Sequence, residues 1–297
     1  MALPLEHLGL VGYGEVGRIF SAGLHGHFAS CAVWDLKFAD PATGAAAQAT
    51  AAGVQAQPSM AALCAHSDFI LSAVTASNTL AVAQAAAPHL RPGTVFLDLN
   101  SASPGTKQQA AQVIEAAGGR YVEAGVMTSV PPYGIQVPML LGGPLAAELA
   151  DHLNGLGMAA KAVAAEIGVA SAIKMCRSVM IKGLEALVIE SYSTARAYGV
   201  EDHVLPTLAE TFPSIDWEKQ GAYFFSRVVQ HGQRRAEEMR ESARTVTEAG
   251  FAPTMASAIA DKQQAVADLA RAGAFAHVGQ GAPWQVYADA LLAARKD

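Results

Sequence analysis

The hexapeptide Gly12-Tyr13-Gly14-Glu15-Val16-Gly17 carries the clearest chemical signal in the chain. An apolar stretch, 8–11, runs straight into it, and Val16, Ile19, Phe20 and Leu24 follow at helical spacing. A strand that turns sharply into a helix offers unpaired backbone N–H groups and the positive end of a helix dipole, which suit the pyrophosphate of a dinucleotide. Gly12 fits the tight turn, Gly14 lets the backbone approach the phosphates, and Gly17 lets the helix pack closely on the strand. Eighteen positions after Gly17, Asp35 ends a second apolar stretch. An acid there accepts hydrogen bonds from the adenosine ribose and repels a 2′-phosphate, which favours NAD over NADP. Lys37, close by, softens that preference and leaves NADP open. The bland alternative is a glycine-rich surface turn and an acid at a strand end.

A second group lies far downstream. Lys174, Ser178, Ile181 and Lys182 fall on one side of a helix at i, i+4, i+7 and i+8, with Arg177 beside them. Two cations and a hydroxyl within an otherwise apolar helix suit an anionic small-molecule substrate. Alternatively, the two lysines simply snorkel to solvent. Val74 ends the apolar run at 68–74 and Thr75 follows it, and Asn100 and Ser101 follow the one at 94–97. In open α/β sheets ligands sit at the carboxyl ends of strands, so these four residues are candidates to meet a cofactor or substrate. For Asn100 and Ser101 the competing role is to cap a helix beginning at Pro104.

The elements that must position these groups alternate in the first half. Strands are predicted at 8–11, 32–34, 53–55, 68–74, 94–97, 120–124 and 137–141, with a last short one at 163–166. Helices are predicted between them at 42–52, 60–64 (capped by Ser59), 77–87, 104–117 and 146–153. This rhythm predicts a doubly wound, mostly parallel sheet of the α/β Rossmann type. From about residue 170 the pattern is helical: 173–198, 203–211, 217–243, 252–272 and 284–294. We therefore expect a dinucleotide-binding domain at 1–167 and an all-α domain at 168–297, joined through a long interdomain helix. Of Tyr223, Phe224 and Phe225, two are expected in the core.

At 297 residues the chain accommodates one large domain or two ordinary ones. Hydrophobic residues make up 52% and charged residues 15%, which reads as a well-buried globular protein. The net charge of −6 comes without a basic run, so nothing recruits nucleic acid or an anionic membrane. Three scattered cysteines lack metal-ligand spacing and suit a reducing compartment. No HExxH or paired acid–histidine spacing occurs, so no metal is inferred. The first apolar run reads as a core strand rather than a leader, which points to a cytoplasmic protein.

Taken together, Gly12/Gly14/Gly17, Asp98-Leu99-Asn100-Ser101, Glu123-Ala124-Gly125-Val126, and Gly168 with Lys174 resemble the 3-hydroxyacid dehydrogenase superfamily, which includes 6-phosphogluconate and 3-hydroxyisobutyrate dehydrogenases. The resemblance covers essentially the whole chain. Val130–Gly134 and Val137–Gly143, with residues 170–275, further resemble a bacterial branch whose C-terminal domain is uncharacterised. The resemblance implies NAD(P)-dependent oxidation of a CH–OH group in a small 3-hydroxy acid or sugar acid. Lys174 would be the general acid or base, with Ser101, Arg177, Ser178 and Lys182 beside the substrate. It also implies pairing into a homodimer through the helical domain. Two departures stand out. Ser178 occupies the place of an asparagine, and Met127-Thr128-Ser129 replaces the family's Ser-Gly-Gly substrate loop. The carboxylate site must therefore differ, and 3-hydroxyisobutyrate and 6-phosphogluconate are poor candidates for the substrate. An imine reductase-like enzyme and a non-catalytic dinucleotide-binding protein are the alternatives.

Overall fold

The computed structural model describes Leu3 and residues 5–294, which form two compact units, Met1–Met175 and Cys176–Asp297. In the first unit, β1 (His7–Val11), β2 (Ser30–Trp34), β3 (Gln55–Ala56), β4 (Phe69–Ser72), β5 (Val95–Asp98), β6 (Arg120–Val126), β7 (Pro138–Gly142) and β8 (Ala159–Ala164) make one sheet. Its order is β3-β2-β1-β4-β5-β6-β7-β8. The first six strands run parallel, whereas β7 is antiparallel to β6 and β8 is parallel to β7. The reversal follows from the connection. Residues 127–137 hold only a short turn at Gly134–Gln136, with no helix to carry the chain back for a parallel crossover.

Connecting helices cover both faces of the sheet: α1 (Glu15–Leu24), α2 (Ala45–Ala51), α3 (Met60–His66), α4 (Thr79–Ala86), α5 (Pro104–Ala116) and α6 (Ala146–Gly155). Alternation along the strands divides the core accordingly. Phe69, Leu71, Val95 and Leu97 join one cluster, and Ile70 and Phe96 join the other. Strands buried on both faces read as continuous apolar runs, which is how β4 and β5 read.

The long α7 (Val169–Tyr198) begins in the first unit and continues into the second. There α8 (Glu201–Thr211), α9 (Trp217–Glu248), α10 (Thr254–Arg271) and α11 (Trp284–Ala293) complete an all-helical unit. Its aromatic core sets Tyr192 edge-on to Trp284 at 4.8 Å between ring centroids and stacks Phe225 with Tyr287 at 6.0 Å. A buried Glu185 accepts hydrogen bonds from Arg235 and Gln263 across α7, α9 and α10. Phe225 is in this core, Phe224 packs against it, and Tyr223 is exposed.

Several boundaries differ from the sequence pattern. The helix expected at 42–52 is interrupted by Gly44 at φ +64°, leaving a 3-10 turn before α2. The last strand forms earlier than 163–166, because Ala159–Ala162 pair with β7 from Pro138 onward. Helix α7 starts at Val169 rather than 173, and α9 continues past 243 to Glu248.

A buried polar cluster ties β5, α5 and β6 together. Lys107 Nζ stands 3.0 Å from Asp98 Oδ1 and donates to the Asp98 carbonyl at 2.9 Å. Tyr121 donates its hydroxyl to Asp98 Oδ2 at 2.5 Å, and burial beside this carboxylate pushes the phenol well above its ordinary pKa. All three residues are buried. Removing one partner of a buried ion pair strands the other, so Lys107→Ala should lower stability by about 3–5 kcal/mol. Urea unfolding tests this, and a loss below about 1 kcal/mol would contradict the cluster's role. Burial also pushes the Cys31 and Cys64 thiols up to about 12, whereas Cys176 is exposed. In native protein at pH 8, Ellman's reagent should modify Cys176 rapidly and the other two only on unfolding. Fast reaction of all three would count against these placements.

Candidate active site

The carboxyl ends of β1, β4, β5 and β6 lie side by side in the sheet and point the same way. They gather Gly12–Gly17, Val74–Thr75, Asn100–Ser101 and Met127–Ser129 along one edge. The strand order reverses between β1 and β4, and the crevice at such a switch point is where ligands bind in open α/β sheets.

The three glycines are required for three different reasons. Gly12 has φ +94°, and a Cβ on it would stand 2.4 Å from the Ala73 carbonyl oxygen of the neighbouring strand end. A Cβ on Gly17 would meet the Gly12 carbonyl oxygen at 2.0 Å, so this glycine holds α1 against its own loop. A Cβ on Gly14 would meet nothing within 4 Å, and no side chain caps α1 at that residue. An open cradle over an uncapped helix N-terminus fits a dinucleotide pyrophosphate. Tyr13 is buried, Val16 is partly buried, and Glu15 is exposed in the first turn of α1.

Asp35 sits beside this loop. Its Oδ2 accepts the Tyr13 N–H at 2.7 Å and its Oδ1 accepts the Lys37 N–H at 2.9 Å. Each oxygen retains a lone pair for a further donor. Asn100 is committed to the frame: Oδ1 accepts the Val74 N–H at 2.7 Å and Nδ2 donates to Ser72 Oγ at 3.0 Å. The ends of β4 and β5 are thereby tied together. Thr75 is exposed, and its hydroxyl accepts from Asn78 Nδ2 at 2.7 Å.

Ser101 is not the cap of α5. Ser103 takes that position, accepting the Thr106 N–H at 3.3 Å. Ser101 instead accepts a hydrogen bond from Lys174 Nζ at 2.5 Å. Lys174 is partly buried and paired rather than extended into solvent.

Glu123 explains how Lys174 comes to stand there. The carboxylate, fully buried on β6, accepts the N–H groups of Gly168 at 2.7 Å, Ala170 at 3.0 Å and Ser171 at 3.3 Å. Ala170 and Ser171 belong to the first turn of α7, whose N–H groups have no partner within the helix, and Gly168 immediately precedes it. Two residues along the same strand face, a Cβ on Gly125 would stand 3.0 Å from the Ala170 oxygen and 3.5 Å from Lys174 Cβ. Glycine at 125 therefore permits the close approach that Glu123 secures. Sequence reasoning gave no role to Glu123, Asp98, Lys107 or Tyr121. An acid in the middle of an apolar strand was the available sign for Glu123.

The loop after β6 begins with Met127, whose N–H donates to the Pro138 carbonyl at 2.9 Å; Met127 and Ser129 are partly buried and Thr128 is exposed. Farther along, Ile135 packs at Gly23 of α1, where a Cβ would come within 2.4 Å of its side chain. The remaining candidates lie in the second unit. Arg177 is exposed. Ser178 and Lys182 are buried, with Lys182 Nζ 2.8 Å from Glu238 and 3.3 Å from Ser178 Oγ. Lys182 is thus neutralised inside its unit and does not snorkel.

Among the described residues no group of three or more His, Cys, Asp or Glu could hold a metal ion, and no helix is long and apolar enough to cross a membrane.

Residues 7–133 match the family described as the NAD binding domain of 6-phosphogluconate dehydrogenase, and residues 195–266 match a domain of unknown function (DUF1932). The chain is 39% identical to a conserved hypothetical protein from Sinorhizobium meliloti 1021, with 96% of each chain covered and a TM-score of 0.74. It is 30% identical to a conserved protein of unknown function reported as structurally similar to 3-hydroxyacid dehydrogenases, over 90% of this chain and 98% of that one, with a TM-score of 0.68. A 3-hydroxyisobutyrate dehydrogenase from Mycobacterium tuberculosis, solved with L-serine, shares the fold at 17% identity, 97% and 99% coverage and a TM-score of 0.66. With its Rossmann-type glycine turn, the Lys174–Ser101 pair and these relatives, the chain belongs to the 3-hydroxyacid dehydrogenase superfamily, in a branch whose C-terminal domain has no assigned function.

Proposed function

We propose that this protein is an NAD-preferring dehydrogenase that oxidises the CH–OH group of a small 3-hydroxy acid or sugar acid, with Lys174 as general base. The carrying observation is the hydrogen bond between Lys174 and Ser101 at the strand edge that also holds the glycine turn. The backbone N–H groups from Gly12 to Gly17 would hold the pyrophosphate, and the remaining lone pairs of Asp35 would face the adenosine ribose. A bound nicotinamide supplies the hydride acceptor, or the donor in the reverse direction.

Lys174 takes the hydroxyl proton as the carbon–hydrogen bond breaks and returns it in reduction. Ser101 fixes the amine and offers its own hydroxyl to the substrate oxygen. Met127, Thr128 and Ser129 give the substrate loop more volume and more hydroxyls than three-residue Ser-Gly-Gly would, which favours a substrate other than 3-hydroxyisobutyrate. Arg177 is the exposed cation for the substrate's acid group, and Ser178 and Lys182 shape the helix behind it. A lysine held for proton transfer favours alcohol oxidation over imine reduction. Met180, Leu187 and Tyr198, spaced 7 and 11 residues apart along α7, are 66%, 56% and 79% exposed, which supports a second copy of the chain as partner.

Absorbance at 340 nm across 3-hydroxy acids and aldonates, with NAD and NADP, tests the activity. Lys174→Ala should lower kcat by about 10²–10⁴-fold while leaving cofactor affinity within about twofold. Cofactor binding with no turnover on any member of a broad hydroxy-acid panel would favour the non-catalytic or imine-directed readings. Direct binding should also show NAD held more tightly than NADP, and the reverse order would remove Asp35 as the discriminating group.

A further inference from the structure

We propose that Glu123 is the positioning residue for Lys174. By holding the first turn of α7 on β6, it sets where the lysine amine stands relative to Ser101. This inference rests on the reading of Lys174 as the proton-transfer group.

The geometry leaves Glu123 little else to do. Its carboxylate is fully buried and accepts from three N–H groups of one helix start, none of them a cation. The surroundings are shaped around it. A Cβ on Gly142 would stand 2.5 Å from Glu123 Oε1, so the neighbouring strand must carry glycine there. Gly168 has φ +111°, which turns the chain so that its own N–H and those of Ala170 and Ser171 converge on one carboxylate. Lys174 lies one helical turn beyond Ala170, and a Cβ on Gly125 would meet both Ala170 and Lys174. A helix fixed at its first turn against β6 has its register fixed for the next turn as well. Rotation or sliding of α7 by a fraction of a residue would carry Nζ away from Ser101, and small misplacements of a reacting group cost large factors in rate.

Glutamine at 123 keeps the size of the side chain and one acceptor oxygen. It loses the charge and turns an N–H₂ donor toward the Ser171 or Gly168 N–H. The test uses full-length protein with ε-¹³C-labelled lysine, the Lys174 resonance being assigned with Lys174→Arg. In Glu123→Gln this resonance should move away from its wild-type position in the same sense as in Ser101→Ala, and kcat should fall at least tenfold with the Kd for NAD within twofold. Ser59→Ala, which removes the cap of α3, serves as a stability control and should leave the resonance in place. Glu123→Ala extends the series if it folds, but the isosteric variant alone decides. An unmoved Lys174 resonance in Glu123→Gln overturns the proposal whatever happens to turnover. Full activity in Lys174→Ala overturns the catalytic reading instead, and a moved resonance then still supports Glu123 as the group that positions the amine.

Discussion

Three backbone N–H groups at the start of α7 end on one buried carboxylate, and much of the candidate site depends on that contact. Burying a carboxylate costs several kcal/mol unless it is paired and hydrogen-bonded. Here the compensation comes from the backbone. Hydrogen bonds to a charged group contribute about 1.5–3 kcal/mol each, and a negative charge at a helix N-terminus adds up to about 2 kcal/mol in partly buried settings. Within the first unit, the start of α7, from Val169 to Met175, is thereby registered to β6.

Under the same edge lies a second buried carboxylate, satisfied in another way. Asp98 is the register partner of Glu123 on the adjacent strand, and it is paired with the buried ammonium of Lys107 and the hydroxyl of Tyr121. Asp98 Oδ1 also accepts the Asn100 N–H at 2.8 Å, and Asn100 in turn holds Val74 and Ser72. The polar network thus runs from α5 through the end of β5 to the end of β4. It secures the strand ends from which Val74 and Ser101 project. The scaffold here is a chain of satisfied hydrogen bonds on top of an apolar core, and such networks favour one arrangement when every member is paired.

What could be read from the sequence follows the distance over which each contact acts. The glycine turn was legible because its partners are local: strand, turn and helix are consecutive, and Asp35 comes at the expected interval. The relation between Lys174 and Ser101 spans 73 residues, so only resemblance suggested that both belong to one site. Ser101 itself was ambiguous beside a helix start, and Ser103 resolved the ambiguity by taking the cap. Glu123 could not be assigned, because its donors lie 45 to 48 residues downstream. Lys107 was equally opaque, since its helix carries Gln108 and Gln109 next to it and reads as a solvated face. The helical period correctly grouped Ser178 with Lys182. What it could not show was Glu238 on a different helix, which neutralises that lysine.

Asp35 gives one oxygen to the Tyr13 N–H in the glycine turn and the other to the Lys37 N–H. The acid that stands where a ribose would be read is thus also a brace of the phosphate turn. Charge and loop shape cannot vary independently at this position. A single exchange to an apolar or basic residue would change the local potential and release the Tyr13 backbone together. A shift toward a phosphorylated ribose by such an exchange would therefore need a coupled change, with a second residue supplying the lost acceptor. On the proposed reading of Asp35, that coupling makes cofactor choice a property of the loop as a whole rather than of one side chain.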